Sequence, residues 1–269
     1  MTCISIHNFM LLLLFLFHFT PTSAQVPIFL YNFCKNSTEK SLTASYKSNV
    51  NKFLLWINSD SATGKEFNNN KIGSNNNTSD DVYGNYDCRA DVTGSFCQFC
   101  INTAVKEIAQ RCPNSDTAVI FYDVCIIRYS NKNFFGNVST TPSWNVTGSK
   151  KIKDSTELTK VEDYIGTLIR KVTVETNQSW AASEFNSNET GKRYGFLQCA
   201  RELDKEGCRQ CLEAVLDLVP KCCGTKVAWE VVVPSCGIKF DDQKFFQLNE
   251  QSGSSSLKPN QGNINIIKV

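Results

Sequence analysis

The chain of 269 residues is nearly neutral and rich in cysteine: its formal net charge is +2, 41% of its residues are hydrophobic and 13 are cysteine. Proteins held to nucleic acid by electrostatic attraction have a strongly basic face, so this balance argues against a nucleic-acid partner. A chain of this length is long enough for two domains of ordinary size.

Residues 1–24 have the features of a secretory signal peptide. An apolar run from Phe9 to Phe19 is followed by small residues ending at Ala24, and the run is short for a membrane span. A retained membrane anchor is the alternative, because no Lys or Arg precedes the run. Cleavage after Ala24 also removes Cys3 and leaves twelve cysteines. An even number at repeated spacings indicates disulfide bonds in an oxidising compartment, so we expect a secreted, extracellular protein.

The remaining cysteines repeat at a constant offset of 111 residues. The first copy and its counterparts are Cys88, Cys97, Cys100, Cys112 and Cys125, then Cys199, Cys208, Cys211, Cys223 and Cys236. The dipeptide Tyr83-Gly84 recurs at the same offset as Tyr194-Gly195. We therefore predict two modules at 27–137 and 138–248, followed by a polar tail at 249–269 that is unsuited to a membrane span.

Each module predicts an α+β fold, in which helices cover one face of an antiparallel sheet. Apolar residues at helical spacing predict a first helix through 46–57 and a counterpart through 161–172. A second helix is expected at 95–110 after the N-cap Thr93, and at 205–218 after the N-cap Asp204.

Strands are expected after each second helix, and two polar segments are expected to lie outside the regular elements. Residues 117–129 and the alternating residues 227–233 predict strands. The Asn-rich stretch 68–81 predicts a mobile surface loop, and 141–149 predicts a linker or an entry strand.

Seven Asn-x-Ser/Thr sequons predict N-glycosylation, as expected for a secreted surface. They begin at Asn36, Asn76, Asn77, Asn137, Asn145, Asn177 and Asn188. Because Asn76 and Asn77 adjoin, we do not expect both to carry a glycan.

The Cys-x2-Cys pairs at 97/100 and 208/211 allow three interpretations. They are typical of zinc sites, of thioredoxin-type redox pairs or of structural disulfides. Secretion and the even cysteine count favour structural disulfides. Residues three apart share one face of a helix, so each cysteine can reach a different neighbouring element.

At this point the chain resembles a known family. Cys88-x8-Cys97-x2-Cys100 and Cys199-x8-Cys208-x2-Cys211 look like the signature of the plant ginkbilobin-homologous domain, and two such domains behind a signal peptide resemble a plant cysteine-rich repeat secretory protein. The resemblance implies two tandem domains, each with a five-stranded antiparallel sheet and two helices. It also implies five disulfide bonds: Cys34–Cys112, Cys88–Cys97, Cys100–Cys125, Cys199–Cys208 and Cys211–Cys236. Cys222 and Cys223 either bond to each other or reach other partners.

The residues argue against an enzyme. Both histidines, His7 and His18, lie in the predicted signal peptide, which removes the usual nucleophile–histidine systems and histidine-based zinc sites. Adjacent acids such as Asp80-Asp81 and Asp241-Asp242 are more typical of solvated turns than of a glycosidase cleft. We expect neither a cofactor nor a metal.

Two binding hypotheses remain. The leading one is a secreted interaction protein of the plant extracellular space, or apoplast, related to stress or defence. Its expected partners are cell-wall glycans or receptor-kinase ectodomains. Rigid disulfide-bonded domains suit this role, because preorganised surfaces lose less entropy on binding. Trp144, Trp180 and Trp229 are candidate surface anchors, although the alternating strand around Trp229 favours a core position for it.

The alternative is a carbohydrate-binding antifungal protein. The resemblance implies a mannose site built from an Asn after the first cysteine, an Arg six residues before the last cysteine and a Glu five residues after it. In the first module these positions hold Lys35, Val119 and Ser130. In the second module Glu230 replaces the Arg, and only Asp241 keeps the acidic type as a ligand-binding candidate.

Overall fold

The computed structural model describes residues 26–36, 42–74, 77–189 and 191–247. The predicted signal peptide, the sequon at Asn76 and the predicted tail at 249–269 lie outside the described residues. Within the described ranges, no helix is long and apolar enough to cross a membrane. The same ranges hold no group of three or more His, Cys, Asp or Glu side chains suited to a metal ion.

The first domain is a five-stranded antiparallel sheet with two helices. Its elements in chain order are β1 Phe29–Asn36, α1 Ala44–Ser61, β2 Phe67–Ser74, β3 Asn77–Cys88, α2 Gly94–Arg111, β4 Ser115–Tyr122 and β5 Cys125–Ser130. The strand order in the sheet is β1-β4-β5-β3-β2.

The second domain repeats this arrangement. Its elements are β6 Trp144–Thr147, α3 Ser155–Arg170 with a π-helical turn Lys171–Glu175, β7 Trp180–Ser187, β8 Gly191–Cys199, α4 Lys205–Leu216, the short α5 Val219–Cys222, β9 Trp229–Val233 and β10 Cys236–Asp241. The order β6-β9-β10-β8-β7 matches that of the first sheet. The predicted α+β class with two five-stranded antiparallel sheets is confirmed.

One face of each sheet carries the helices and holds the core. Phe53 and Ile57 of α1 and Ile101 and Ile108 of α2 are fully buried there. The repeated Tyr-Gly dipeptide has a packing reason, since a Cβ at Gly84 would lie 2.1 Å from Cζ of Phe53. Only a residue without a side chain lets the first helix lie so close to the strand.

The helix signals in the sequence correspond to real caps. The Thr93 hydroxyl accepts the Phe96 N–H, and the Asp204 carboxylate accepts the Gly207 N–H. The helix after Asp204 ends at Leu216, two residues earlier than predicted. Pro220 lies in the first turn of the next short helix, and because proline lacks an N–H it cannot continue the preceding one.

The prediction of a loop over the Asn-rich stretch 68–81 is wrong for the residues that the structure describes. Most of this stretch lies in β2 and β3, which pair antiparallel, with Ile72 opposite Val82. Asp81, expected to be solvated, is fully buried and forms a 2.7 Å ion pair with Lys71. The segment 141–149 contains the entry strand β6.

Disulfide bonds connect the helices to the sheets. The structure joins Cys34 to Cys112, Cys88 to Cys97, Cys100 to Cys125, Cys199 to Cys208, Cys211 to Cys236, and Cys222 to its neighbour Cys223. Each Cys-x2-Cys pair therefore ties one helix to two different strands. The domains differ at the sixth cysteine, because Asn145 stands at the position equivalent to Cys34.

Candidate functional site

The two domains meet along a seam formed by equivalent segments, residues 87–91 of the first and 198–202 of the second. The Ala90 N–H donates to Oε1 of Gln198 at 2.8 Å, and the Arg201 N–H donates to Oδ2 of Asp87 at 3.1 Å. At the repeat offset of 111 residues, Gln198 is the equivalent of Asp87, and Arg201 is the equivalent of Ala90. Two reciprocal bonds between equivalent positions indicate an approximate two-fold axis between the domains, as in an isologous dimer.

A cluster of charged side chains strengthens the seam. The Arg201 guanidinium pairs with Asp87, which is 4% exposed, and with Oε2 of Glu66 at 3.2 Å. Across the same seam, the Glu202 carboxylate accepts from the amides of Asn85 at 3.2 Å and Asn69 at 3.5 Å. Buried polar groups with several partners hold two domains in one orientation.

Burial raises the pKa of several acids between the domains, because a carboxylate is poorly solvated there. It raises the pKa of Asp87 to about 7, although Arg201 opposes the change. Burial also raises the pKa values of three further acids that face the other domain. We call these four groups the seam carboxyls: Asp87, Asp123, Glu202 and Glu230.

A cavity of about 120 Å³ opens between the two sheets, on the faces that do not carry the helices. We call this cavity the interdomain cleft. Its size is comparable with an apolar cavity of about 150 Å³ that binds benzene. Among the residues that line it are Arg89, Phe121, Asp123 and Ile126 of the first domain, and Phe196, Glu230, Val232, Lys239 and Phe245 of the second.

Both signs of charge are held beside aromatic rings in this cleft. Glu230 is 7% exposed and lies 3.2 Å from Nζ of Lys239, whose ammonium lies 4.9 Å from the Phe245 ring centroid. The Arg89 guanidinium donates two hydrogen bonds to the Asp91 carboxylate, at 2.6 and 3.1 Å. The cleft can therefore offer hydrogen-bond donors, acceptors and apolar surface to one small chemical group.

The charged set is repeated only in part in the other copy: Lys239 beside Phe245 corresponds to Arg128 beside Phe134, but the other three charged residues have no charged counterpart. At the offset of 111 residues, the position equivalent to Glu230 in the first domain is Val119. In the second domain, the positions equivalent to Arg89 and Asp123 are Ala200 and Pro234. The seam is symmetric, but the cleft is not. The sequence reading did not single out Arg89, Asp123 or Lys239, and a position-by-position comparison of the two copies would have drawn attention to the first two.

The positions of the mannose-type set lie elsewhere in the first domain. Val119 is buried on β4, and Ser130 is buried and shares a 3.0 Å hydrogen bond with Thr117. Lys35 is exposed and lies opposite Thr117. In the second domain Glu230 belongs to the interdomain cleft, and Asp241 accepts the N–H of Gln243 at 3.0 Å.

The predicted anchors and sequons divide between core and surface. Trp229 is buried in the core, whereas Trp144 and Trp180 are half-buried. The sequon asparagines that are exposed are Asn36, Asn137, Asn145, Asn177 and Asn188.

Comparison with known proteins identifies the family. The model of the salt stress response/antifungal domain matches the chain twice, at residues 33–132 and 146–243. The chain belongs to this family. It is 31% identical over 234 residues to cysteine-rich repeat secretory protein 38 of Arabidopsis thaliana, covering 85% of this chain and 90% of that protein. This confirms the resemblance to the cysteine-rich repeat secretory proteins.

Other family members place the chain among extracellular proteins. It is 30% identical over 213 residues to the antimicrobial ginkbilobin-2-like protein of Castanea crenata, covering 79% of this chain and 86% of that one. The crystal structure of the tandem DUF26 ectodomain of the Arabidopsis thaliana receptor-like protein PDLP8 superposes with a TM-score of 0.68 at 28% identity, covering 80% and 98% of the two chains. The protein is a secreted, extracellular member of the family.

Receptor-like kinases also match, but over part of their length. Cysteine-rich receptor-like protein kinase 25 of Arabidopsis thaliana is 30% identical over 248 residues, which cover 91% of this chain and 36% of the kinase. The chain thus spans about a third of that relative.

Proposed function

We propose that the protein is a non-enzymatic binding protein of the plant extracellular space with a role in stress or defence, and that its interdomain cleft receives the partner. The cleft carries this proposal, because it sets phenylalanine rings beside the ion pair of buried Glu230 with half-buried Lys239. Cavities between domains that combine apolar walls with a few converging polar groups are typical ligand sites. The description of the family supports the proposed role in stress or defence.

The construction of the seam supports this role. Reciprocal hydrogen bonds and the Arg201 ion pairs hold both walls of the cleft in place before a partner arrives. A preorganised site loses less conformational entropy on binding. The different chemistry of the two copies at Glu230 and Val119 supports a site that arose after duplication, on a scaffold that both copies share.

Two partner classes fit the size of the cleft. A receptor-kinase ectodomain can insert one side chain, and a cell-wall glycan can insert one sugar ring. In either case the inserted group must contact apolar surface at Val232 and Phe196 and a polar pair at Glu230 and Lys239.

Retention of partners from extracellular fluid tests the proposal. Full-length mature protein, Val232→Asp and Glu230→Gln are immobilised and exposed to leaf extracellular fluid and to solubilised wall polymers. Leu55→Asn is the control, because Leu55 is 69% exposed on α1 and does not line the cleft. We expect the wild type and the control to retain the same partner, and both cleft variants to lose it. Equal retention by all four proteins contradicts the proposal.

A carbohydrate-binding antifungal role is the second candidate, favoured by the similarity to the antimicrobial ginkbilobin-2-like protein. Asp241 is the one position of the mannose-type set that keeps its acidic type. On a glycan array, a mannose signal that Asp241→Asn abolishes and Glu230→Gln leaves intact supports this second role. A flat response to mannose and fungal wall polymers contradicts it.

A further inference from the structure

We propose that an N-linked glycan on Asn177 packs into a second groove between the domains and closes it. This groove, which we call the Asn177 groove, has a volume of about 560 Å³, within the range of about 300–1,000 Å³ typical of small-molecule sites. Glu66 and Ala90 of the first domain and residues of the second domain line it, including Val172, Asn177, Trp180, Arg201, Leu203 and Lys205.

The sequon is itself part of the wall. Asn177, Gln178 and Ser179 are consecutive lining residues, and Asn177 is exposed. A glycan attached at Asn177 starts at the rim of the groove. Because this ligand is covalently attached, its effective concentration at the groove is high and little translational freedom is lost when it docks.

The chemistry of the groove suits the first sugars of a glycan, which combine apolar C–H faces with hydroxyl and acetamido groups. Trp180 is half-buried and stacks on Phe196, with ring centroids 5.8 Å apart and an interplanar angle of 20°. With Val172 and Leu203 it gives the groove apolar surface. Lys205 donates one hydrogen bond to the Val172 carbonyl at 3.2 Å, and an ammonium has three donors.

Equivalent positions of the two domains meet in this groove. Glu66 and Asn177 differ by 111, as do Ala90 and Arg201, and all four residues line it. The groove therefore lies close to the approximate two-fold axis. Only the second copy has a sequon at this position, so a single glycan can lie across the axis and contact both domains.

Two other exposed sequons serve as internal controls. Asn145 lies on the edge strand β6 and Asn188 in the turn after β7, and neither lines the groove. Their glycans should project into solvent. All three sites can be compared within one molecule, under one set of conditions.

The experiment measures native deglycosylation at each site. The full mature protein is secreted from a eukaryotic host in which every site keeps oligomannose glycans, and is digested with endoglycosidase H without denaturation. Mass spectrometry of glycopeptides then follows each site. We expect cleavage at Asn177 to be at least about tenfold slower than at Asn145 and Asn188, because cleavage of a covered group requires local opening. After denaturation the three rates should be equal.

Variants on both walls complete the test. Trp180→Ala should remove the delay at Asn177 and leave Asn145 and Asn188 unchanged. Glu66→Ala changes the wall that the first domain contributes, and it should shorten the delay of cleavage at Asn177. This second variant keeps the test decisive if Trp180→Ala fails to fold. The proposal is overturned if Asn177 carries no glycan, if it is cleaved as fast as Asn188, or if the delay survives both substitutions. None of these outcomes depends on the partner of the interdomain cleft.

Discussion

Replacing Asp87 by alanine should uncouple the two domains. Asp87 accepts hydrogen bonds from the backbone N–H of Arg201 at 3.1 Å, from its guanidinium and from the Gln198 amide at 3.4 Å. Removing one partner of a buried ion pair costs about 3–5 kcal/mol. The Arg201 side chain keeps 22% exposure and the acceptors on Glu66, so we expect a loss of about 2–3 kcal/mol in the free energy of unfolding.

The distribution of tryptophan makes the uncoupling measurable. Trp56 lies in the first domain, whereas Trp144, Trp180 and Trp229 lie in the second. Intrinsic fluorescence therefore reports mainly on the second domain, and far-ultraviolet circular dichroism reports on both. In urea with disulfides intact, the two curves should coincide for the wild type, as expected for one cooperative unit. For Asp87→Ala they should separate.

The control is Arg209, which pairs with two acids as Arg201 does, but whose side chain is 43% exposed. Arg209 bonds to Glu206 and Glu213 along the exposed face of α4. Exposed pairs contribute little because water and salt screen them, so Arg209→Ala should leave both curves in place. Coincident, unshifted curves for Asp87→Ala refute the reasoning that the seam couples the domains.

Three further predictions concern pH, the disulfides and a glycine. The seam carboxyls have raised pKa values when folded, and the pKa of Asp87 is raised to about 7, so the folded state binds more protons above about pH 4, and for Asp87 this window extends to about pH 7. Stability should therefore fall as pH rises through this window, and a higher melting temperature at pH 8 than at pH 5 contradicts this. Replacing Cys34 and Cys112 by alanine should lower the free energy of unfolding in urea by up to about 4.5 kcal/mol, because their bond closes a loop of 78 residues. The same change at Cys222 and Cys223 should cost far less, because they are adjacent; equal losses count against the loop argument. Gly84→Ala should cost about 1–3 kcal/mol through overpacking, and an unchanged urea midpoint argues against the tight approach of α1.

The cysteine repeat and the helix signals predicted much of the fold, because both depend on local spacing. The caps at Thr93 and Asp204 act as expected. The sequence does not predict the Asn-rich hairpin, because its mostly polar residues lack the alternation of apolar and polar side chains that indicates a strand with one buried face. Asn69 and Asn85 find their partner in Glu202, more than a hundred residues away. Patterns over short sequence windows carry no information about a contact at that separation.

The candidate site was harder to predict for a related reason. In the sequence, Glu230 differs from the Arg of the mannose-type set and carries no other signal. Its place in the interdomain cleft depends on the orientation of one domain against the other. Arg89 and Asp123 approach it only after the seam forms, because they belong to the first domain. Spacing within one module carries no information about that orientation.

The approximate symmetry of the seam also explains how the two copies can contribute different charges to the interdomain cleft. In a true dimer of one module, any substitution appears at both symmetry-related positions. A fused tandem removes that constraint, so Glu230 can be charged while Val119 remains apolar and buried. The positions of Asp87 and Gln198 keep the same bonding role despite their different side chains, because the seam must hold. Selection on orientation therefore acts on both copies, whereas selection on binding can act on one.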